Sequence, residues 1–174
     1  MKNRRLMQVI VLGAILLVGG YTIGTTLWGT DTPVKPGYKS PDFTLEGLDG
    51  QPYKLSDFKG KAVVLNFWGT FCPPCVEEMP ALQSQYEQWK SSNVVILGVN
   101  LNENLVTVKG FIRQHQITFP ILLDYDQVRK TFKVTAYPTT FYIDSTGTIK
   151  DVFVGGMKES DILIRISDLI VKKQ

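Results

Sequence analysis

The chain has 174 residues, 44% of them hydrophobic and 20% charged, and a net charge of +3. That length fits one domain plus an additional segment, and the composition is globular rather than disordered or fibrous. With no basic run beyond the first five residues, the sequence offers no phosphate-binding stripe and excludes nucleic acid as an expected partner.

The chain opens with Lys2, Arg4 and Arg5, followed by a charge-free stretch from Leu6 to Trp28. A helix needs about 20 apolar residues to cross a hydrocarbon core, so one transmembrane helix is expected here. The stretch is longer than the apolar core of a secretory signal, and no Ala-x-Ala site follows it, which favours an uncleaved signal anchor over cleavage near Gly29. Basic residues before the span, against only Asp31 and Lys35 soon after it, predict a cytoplasmic N-terminus. The expected localisation is the cell membrane, single-pass, with the folded domain extracytoplasmic, where thiols are not kept reduced by the cytosolic pool. The predicted limits are 1–28 for the basic tip and anchor, 29–37 for a Gly/Pro-rich linker, and 38–174 for the domain.

Within the domain, "DFTLEGLDGQPYKLSDFKGK" predicts two short strands about a turn, with Ser56 opening a helical turn. "AVVLNF" (62–67) and "NVVILGVNL" (93–101) are short runs rich in β-branched residues and predict buried strands. Between them, Val76, Met79, Leu82 and Tyr86 recur at helical spacing over 73–90, and Pro80 is expected to kink that helix. Asn104 is a candidate cap for a helix to Gln114; "FPILLD" predicts a strand and Gln127 to Phe132 a short helix. "TTFYID", "STGT" and "IKDVFVG" predict a hairpin contributing antiparallel edge strands. The tail from Glu159 to Lys173 carries Ile162, Ile166, Leu169 and Ile170 on one stripe. Strands alternating with helices predict an α/β fold.

The only two cysteines lie in "WGTFCPPCVEEMP", residues 68–80, where a predicted buried strand gives way to a helix. A helix N-terminus presents unpaired N–H groups and partial positive charge, both favouring thiolate over thiol at Cys72. A fall in pKa from about 8.5 to about 7 is worth roughly 2 kcal/mol and makes about half the thiol reactive at neutral pH. Pro73 suits the first helical position, whose N–H would be unpaired in any case. Cys75 lies almost one turn on, close enough to Cys72 for a disulfide. As a structural staple the pair would close too short a loop to restrain the unfolded chain. Zinc would need four ligands, and the chain has two cysteines and one histidine. A copper site using Cys72, Cys75 and His115 is allowed by ligand type, although His115 in "RQHQIT" reads more simply as a solvated side chain. A redox couple is the favoured reading.

"VVLNFWGTFCPPC", with the distal "AYPTTFYID", resembles the thioredoxin superfamily over about residues 38–172. The N-terminal hairpin, the "LNFWGT" approach and the interposed helix near 105–115 resemble its ResA-type (TlpA-like) branch, membrane-anchored thiol–disulfide oxidoreductases of cytochrome c maturation. The resemblance implies a thioredoxin-like fold with an N-terminal β-hairpin and an inserted helix–strand element, preceded by one transmembrane helix. It implies that Cys72 is the exposed nucleophile, Cys75 the buried resolving thiol, and Cys72–Cys75 the redox disulfide. It implies further that Pro138 is a cis-proline lining a substrate groove together with Trp68, Pro73, Pro74 and Tyr137. The implied substrate is the CxxCH haem site of apocytochrome c, the implied electron donor a CcdA-type membrane thiol carrier, and no cofactor or metal is required.

Two positions depart from common patterns. Asn66 stands where many thioredoxins carry a buried aspartate, and an amide cannot take a proton; the ResA-type proteins resemble the chain there and also have a glutamate matching Glu78. Three residues along a helix is 300°, so Glu78 falls within about 60° of Cys75, whereas Glu77 points nearly the opposite way. Glu78 is therefore a third catalytic candidate, expected to be buried with a pKa raised toward neutrality. Pro73-Pro74 replaces the Glu-Pro of close ResA relatives, and a related branch serving endospore formation also carries Cys-Pro-Pro-Cys. A peroxidase is the remaining rival, because "PDFTLEGLDG" also resembles peroxiredoxins. Their Pro-x-x-x-Thr/Ser-x-x-Cys arrangement is broken here by Leu65 and Gly69.

Overall fold

The computed structural model describes the backbone over 2–27 and 34–171, and within the first helix the side chains at 7, 8 and 10–20. The chain divides into two compact units, 1–32 and 33–174. The first holds helix α1 (Lys2–Leu27). Among the described residues no helix is long and apolar enough to cross a membrane. Of the expected linker, positions 29–33 lie outside the described residues.

The second unit is built on a seven-stranded sheet. Its strands are β1 (Thr44–Gly47), β2 (Pro52–Lys54), β3 (Ala62–Trp68), β4 (Val94–Leu101), β5 (Ile121–Asp124), β6 (Thr139–Ile143) and β7 (Ile149–Val154), in the order β2-β1-β5-β4-β3-β6-β7. The helices are α2 (Pro73–Trp89), α3 (Leu105–Gln114), α4 (Gln127–Thr131) and α5 (Glu159–Val171), with a 3-10 turn at Leu55–Phe58 that begins one residue before Ser56. β3 pairs with β4, and β4 with β5, in parallel; the remaining pairings are antiparallel. The closing hairpin is therefore not all edge. β7 is an edge strand, but β6 lies inside the sheet against β3, and the other edge is supplied by the N-terminal hairpin through β1 and β5.

Strand β3 is buried along its whole length because both faces of the sheet are covered. Val63, Leu65 and Phe67 point into a core with Phe43, Leu97, Val99, Phe132 and Phe141. Val64 and Trp68 point the other way, into a core closed by Met79 and Leu82 of α2, Val108 of α3, and Ile162 and Ile166 of α5. Strand alternation puts Asn66 on this second face, an amide inside an apolar layer. Ile170, expected on the buried stripe of α5, is exposed. The backbone of α2 remains helical through Pro80, which lies on the solvent side. Asn104 caps α3 as expected, its side chain accepting from Thr107 N–H at 2.9 Å. Asp124 is buried at the end of β5, and its carboxylate accepts the N–H groups of Gln127, Val128 and Arg129 at 2.7–3.0 Å, fixing the start of α4.

Gly98 sits opposite Asn66 in the parallel ladder. A Cβ there would lie 2.7 Å from Ile121 Cδ1 and 3.0 Å from both Phe119 Cε2 and Trp68 Nε1. All three are core side chains with little room to yield, so Gly98→Ala should destabilise the domain by about 1–3 kcal/mol, read as a lower denaturant midpoint at unchanged slope. Wild-type stability in the variant would show that the indole side of the core is loosely packed.

Candidate active site

The parallel strands end at one pole of the sheet, and the turn from β3 into α2 places both cysteines there. Cys72 is the N-cap of α2, its carbonyl accepting from Val76 N–H at 3.1 Å, and its sulfur is bonded to that of Cys75. Cys75 is wholly buried, while Cys72 retains 7% of its surface. Cys75 is thus the deeper of the two, but Cys72 is not the exposed thiol expected: its sulfur is bonded to that of Cys75, and it too is buried. Prolines fill the first two helical positions. They provide no N–H, and Val76 N–H is taken by Cys72 itself. In the first turn this leaves Cys75 N–H and the helix dipole to favour a Cys72 thiolate, fewer donors than a helix end ordinarily offers.

Glu78, three residues beyond Cys75 on α2, has 1% of its surface exposed. Its Oε1 accepts from Asn66 Nδ2 at 2.8 Å, and its Oε2 accepts from the Met157 backbone N–H at 3.0 Å. Asn66 Nδ2 also donates to Thr140 Oγ1 at 2.9 Å, tying β3, α2, β6 and the segment before α5 to one carboxyl group. Burial pushes the Glu78 pKa up to about 7, against the two hydrogen bonds, which lower it. Desolvation wins because neither donor carries a charge. Glu77, one residue earlier, is exposed. A cleft between the start of α2 and the Gly156–Glu159 segment reaches Glu78.

The Tyr137–Pro138 bond is cis, and Pro138 is buried at the start of β6 with its carbonyl accepting from Gly155 N–H. Tyr137 is half-buried and meets the exposed Phe71 ring edge to face at 6.3 Å. Pro73 and Pro74 are exposed, and Gly156 packs on Pro74, where a Cβ would stand 3.2 Å from its carbonyl oxygen. Trp68 departs from expectation. It is fully buried, tilted against Phe111 at 5.2 Å, and has no surface to offer a substrate, because its strand position points it into the α2–α3 side of the core. The copper set is not assembled either. The cysteine sulfurs are joined, His115 stacks on Phe111 at 4.2 Å, and among the described residues no group of three His, Cys, Asp or Glu side chains could hold a metal ion.

Sequence reasoning singled out Asn66 only as an amide unable to take a proton, and it missed Glu103 and Phe71 altogether. Asn66 holds the carboxyl group; an amide inside "VVLNFW" was a usable signal, since a buried polar side chain must find a partner. Glu103 accepts from Thr70 N–H at 2.8 Å, from the Thr70 hydroxyl and from Asn100 Nδ2 at 2.7 Å, clamping the loop before Cys72. Phe71 supplies the exposed aromatic surface expected of Trp68.

Residues 36–152 match the model of the AhpC/TSA family. The thiol-disulfide oxidoreductase ResA of Geobacillus kaustophilus is 41% identical over 162 residues, 92% of this chain and 93% of that one. ResA of Bacillus subtilis is 38% identical over 92% of this chain and 90% of its own. Among solved structures, a thioredoxin-family thiol:disulfide interchange protein of Chlorobium tepidum aligns with a TM-score of 0.71 at 29% identity, covering 75% of this chain and 94% of that one. StoA of Bacillus subtilis aligns with a TM-score of 0.65 at 30% identity, covering 76% and 98%. With its cysteines joined at the head of α2 over a buried carboxyl group, the chain belongs to the thioredoxin-like AhpC/TSA family and, within it, to the ResA-type thiol–disulfide oxidoreductases.

Proposed function

We propose that the chain works as an extracytoplasmic reductant of protein disulfides, with the CxxCH site of apocytochrome c as substrate and a CcdA-type membrane thiol carrier as electron donor. The observation that carries the reductant reading is the buried Glu78 one turn beyond a fully buried Cys75. Reduction proceeds in two displacements. Cys72 thiolate attacks one sulfur of the substrate disulfide, and the other substrate sulfur leaves as a thiolate. Cys75 then attacks Cys72, releasing the second substrate sulfur and closing the Cys72–Cys75 bond, so two electrons pass to the substrate. A dithiol of the membrane carrier reopens the pair by the same exchange. The second displacement requires a Cys75 thiolate where apolar surroundings oppose one. Glu78 sits on the same inward face, takes that proton, and passes it to solvent through the cleft beside Gly156. The substrate and donor come from the ResA-type resemblance, which the identity to the ResA relatives supports. In this reading the charge-free stretch from Leu6 to Trp28, preceded by Lys2, Arg4 and Arg5, is the anchor.

Trapping tests the assignment most directly. In cells, Cys75→Ala should accumulate mixed disulfides that Cys72→Ala cannot form, and apocytochrome c should be among the trapped chains. In the reduced protein near neutral pH, alkylation should reach Cys72 well before Cys75. Equal labelling of the two thiols would contradict the division of labour.

For the anchor, the full chain should stay with membranes through a high-salt wash, and protease added to spheroplasts should digest the domain. Recovery in the soluble fraction would sink the reading.

Glu78 leaves a signature in both rate and stability. Resolution of the mixed disulfide should rise with pH through about 7 as the carboxylate forms. Glu78→Gln should lose that rise and slow exchange by about tenfold or more, while Glu77→Gln changes neither. Since burial raises the folded-state pKa from 4.5 to about 7, the native state keeps a proton that the unfolded chain releases between those values. Its contribution to stability is full below about pH 4.5 and is lost as pH rises through 7. Between pH 5 and 8 the difference between Glu78→Gln and wild type should therefore move about 2–3 kcal/mol in the variant's favour. Parallel stability curves would show that Glu78 is not a buried acid.

A further inference from the structure

Among the described residues of the folded domain, eight large apolar side chains are exposed: Tyr38, Phe71, Leu105, Val106, Tyr125, Val154, Ile164 and Ile170. Sheet topology gathers five of them at the pole that carries the disulfide. Phe71 follows the end of β3, Leu105 and Val106 follow the end of β4, and Tyr125 follows the end of β5, all three strands running parallel side by side. Val154 ends β7, paired with Thr139 beside the cis-proline. Phe71 immediately precedes Cys72, and its ring meets Tyr137. Leu105, Val106 and Tyr125 have no part in the exchange chemistry, yet they are 41%, 81% and 62% exposed, and Val106 and Tyr125 stand open in a way that soluble surfaces tolerate singly rather than in a row.

The backbone that carries these side chains is held rather than loose. Glu103 ties the Thr70–Phe71 loop to the turn from which Leu105 and Val106 project. Asn104 caps α3 immediately before them, and the buried Asp124 anchors the backbone immediately before Tyr125. A fixed apolar row is a binding surface with little ordering cost.

We infer that Leu105, Val106 and Tyr125 form a second contact for the polypeptide that brings a disulfide to Cys72, selecting chains with an apolar or aromatic side chain a few residues from the reacting cysteine. This rests on the reductant reading above and specifies its substrate class. The occupant follows from continuity: whatever presents a sulfur to Cys72 covers Phe71, and its chain must continue over one flank of the site. From β3 to β5 is two strand spacings, about 10 Å, which an extended chain covers in about three residues. The preferred side chain therefore lies about three to five residues from the cysteine. A small disulfide reaches Cys72 without touching this row.

The test compares three oxidised substrates with the full chain: a CxxC peptide carrying Phe-Leu four residues from its cysteine, the same peptide with Ser-Ser there, and glutathione disulfide. Wild type should favour the Phe-Leu peptide over the Ser-Ser peptide by about tenfold in kcat/KM, mostly through KM. Val106→Asp with Tyr125→Ser should erase the preference between the peptides, whereas Ile164→Asp, on the open face of α5, should retain it. Glutathione disulfide reports whether the double variant is folded and active. Should it be inactive there, the milder Val106→Thr with Tyr125→His must show a reduced preference. Equal rates on the two peptides, or a preference surviving the double variant, would overturn the inference while leaving the reductant reading intact. If the protein instead oxidises the dithiol peptides and reduces none, the reductant reading falls, and the same preference read in the oxidising direction decides the row separately.

Discussion

A buried carboxyl group with no cationic partner among the described residues, one helical turn beyond Cys75, is the constraint on which the site depends. Glu78 receives two neutral hydrogen bonds, from Asn66 and from Met157 N–H, and these do not offset the loss of water. The same bonds join β3, α2 and the approach to α5, so the group that is hardest to bury is also the one that registers the elements around it. Cys75 and Glu78 share one turn of one helix.

The sheet topology then decides where chemistry can occur. Because β3, β4 and β5 are parallel, their following loops collect at one pole, and β6 enters from that pole with Pro138 at its head. At the opposite pole Gly37 N–H bonds Ile149 and Ser40 N–H bonds Gly147, so the N-terminal segment of the domain is stitched to the β6–β7 turn. At the catalytic pole the loops of several strands converge instead, and Glu103 ties the one before Cys72 to the β4–α3 turn. Ligands of α/β sheets gather at the carboxyl ends of strands for this reason.

Much of this was legible in the sequence. β3 and β4 declare themselves because burial on both faces demands an unbroken apolar run, and α3 because Asn104 is a residue suited to its cap. The position of Glu78 relative to Cys75 follows from helical periodicity alone. What was hidden depends on pairing between distant segments. No local pattern says that β6 lies inside the sheet, that Met157 closes over Glu78, or that Glu103 reaches back to Thr70 across 33 positions. Trp68 was misplaced for a related reason. Its neighbour Phe71 has the same chemical character, and only strand alternation carried through the β3–β4 ladder shows which ring faces inward.

The two prolines between the cysteines complete the division of labour. A helix end favours a thiolate through free N–H groups and through its dipole, and Pro73-Pro74 removes two of those donors while leaving the dipole. What remains at the first turn to favour a Cys72 thiolate is the helix dipole and the Cys75 N–H. The surroundings of Cys75 are of another kind: it is wholly buried, and one helical turn along stands Glu78, a carboxyl group whose pKa burial pushes up to about 7. Two adjacent sulfurs therefore sit in different physics, one at a helix end and the other in an apolar interior that holds an acid.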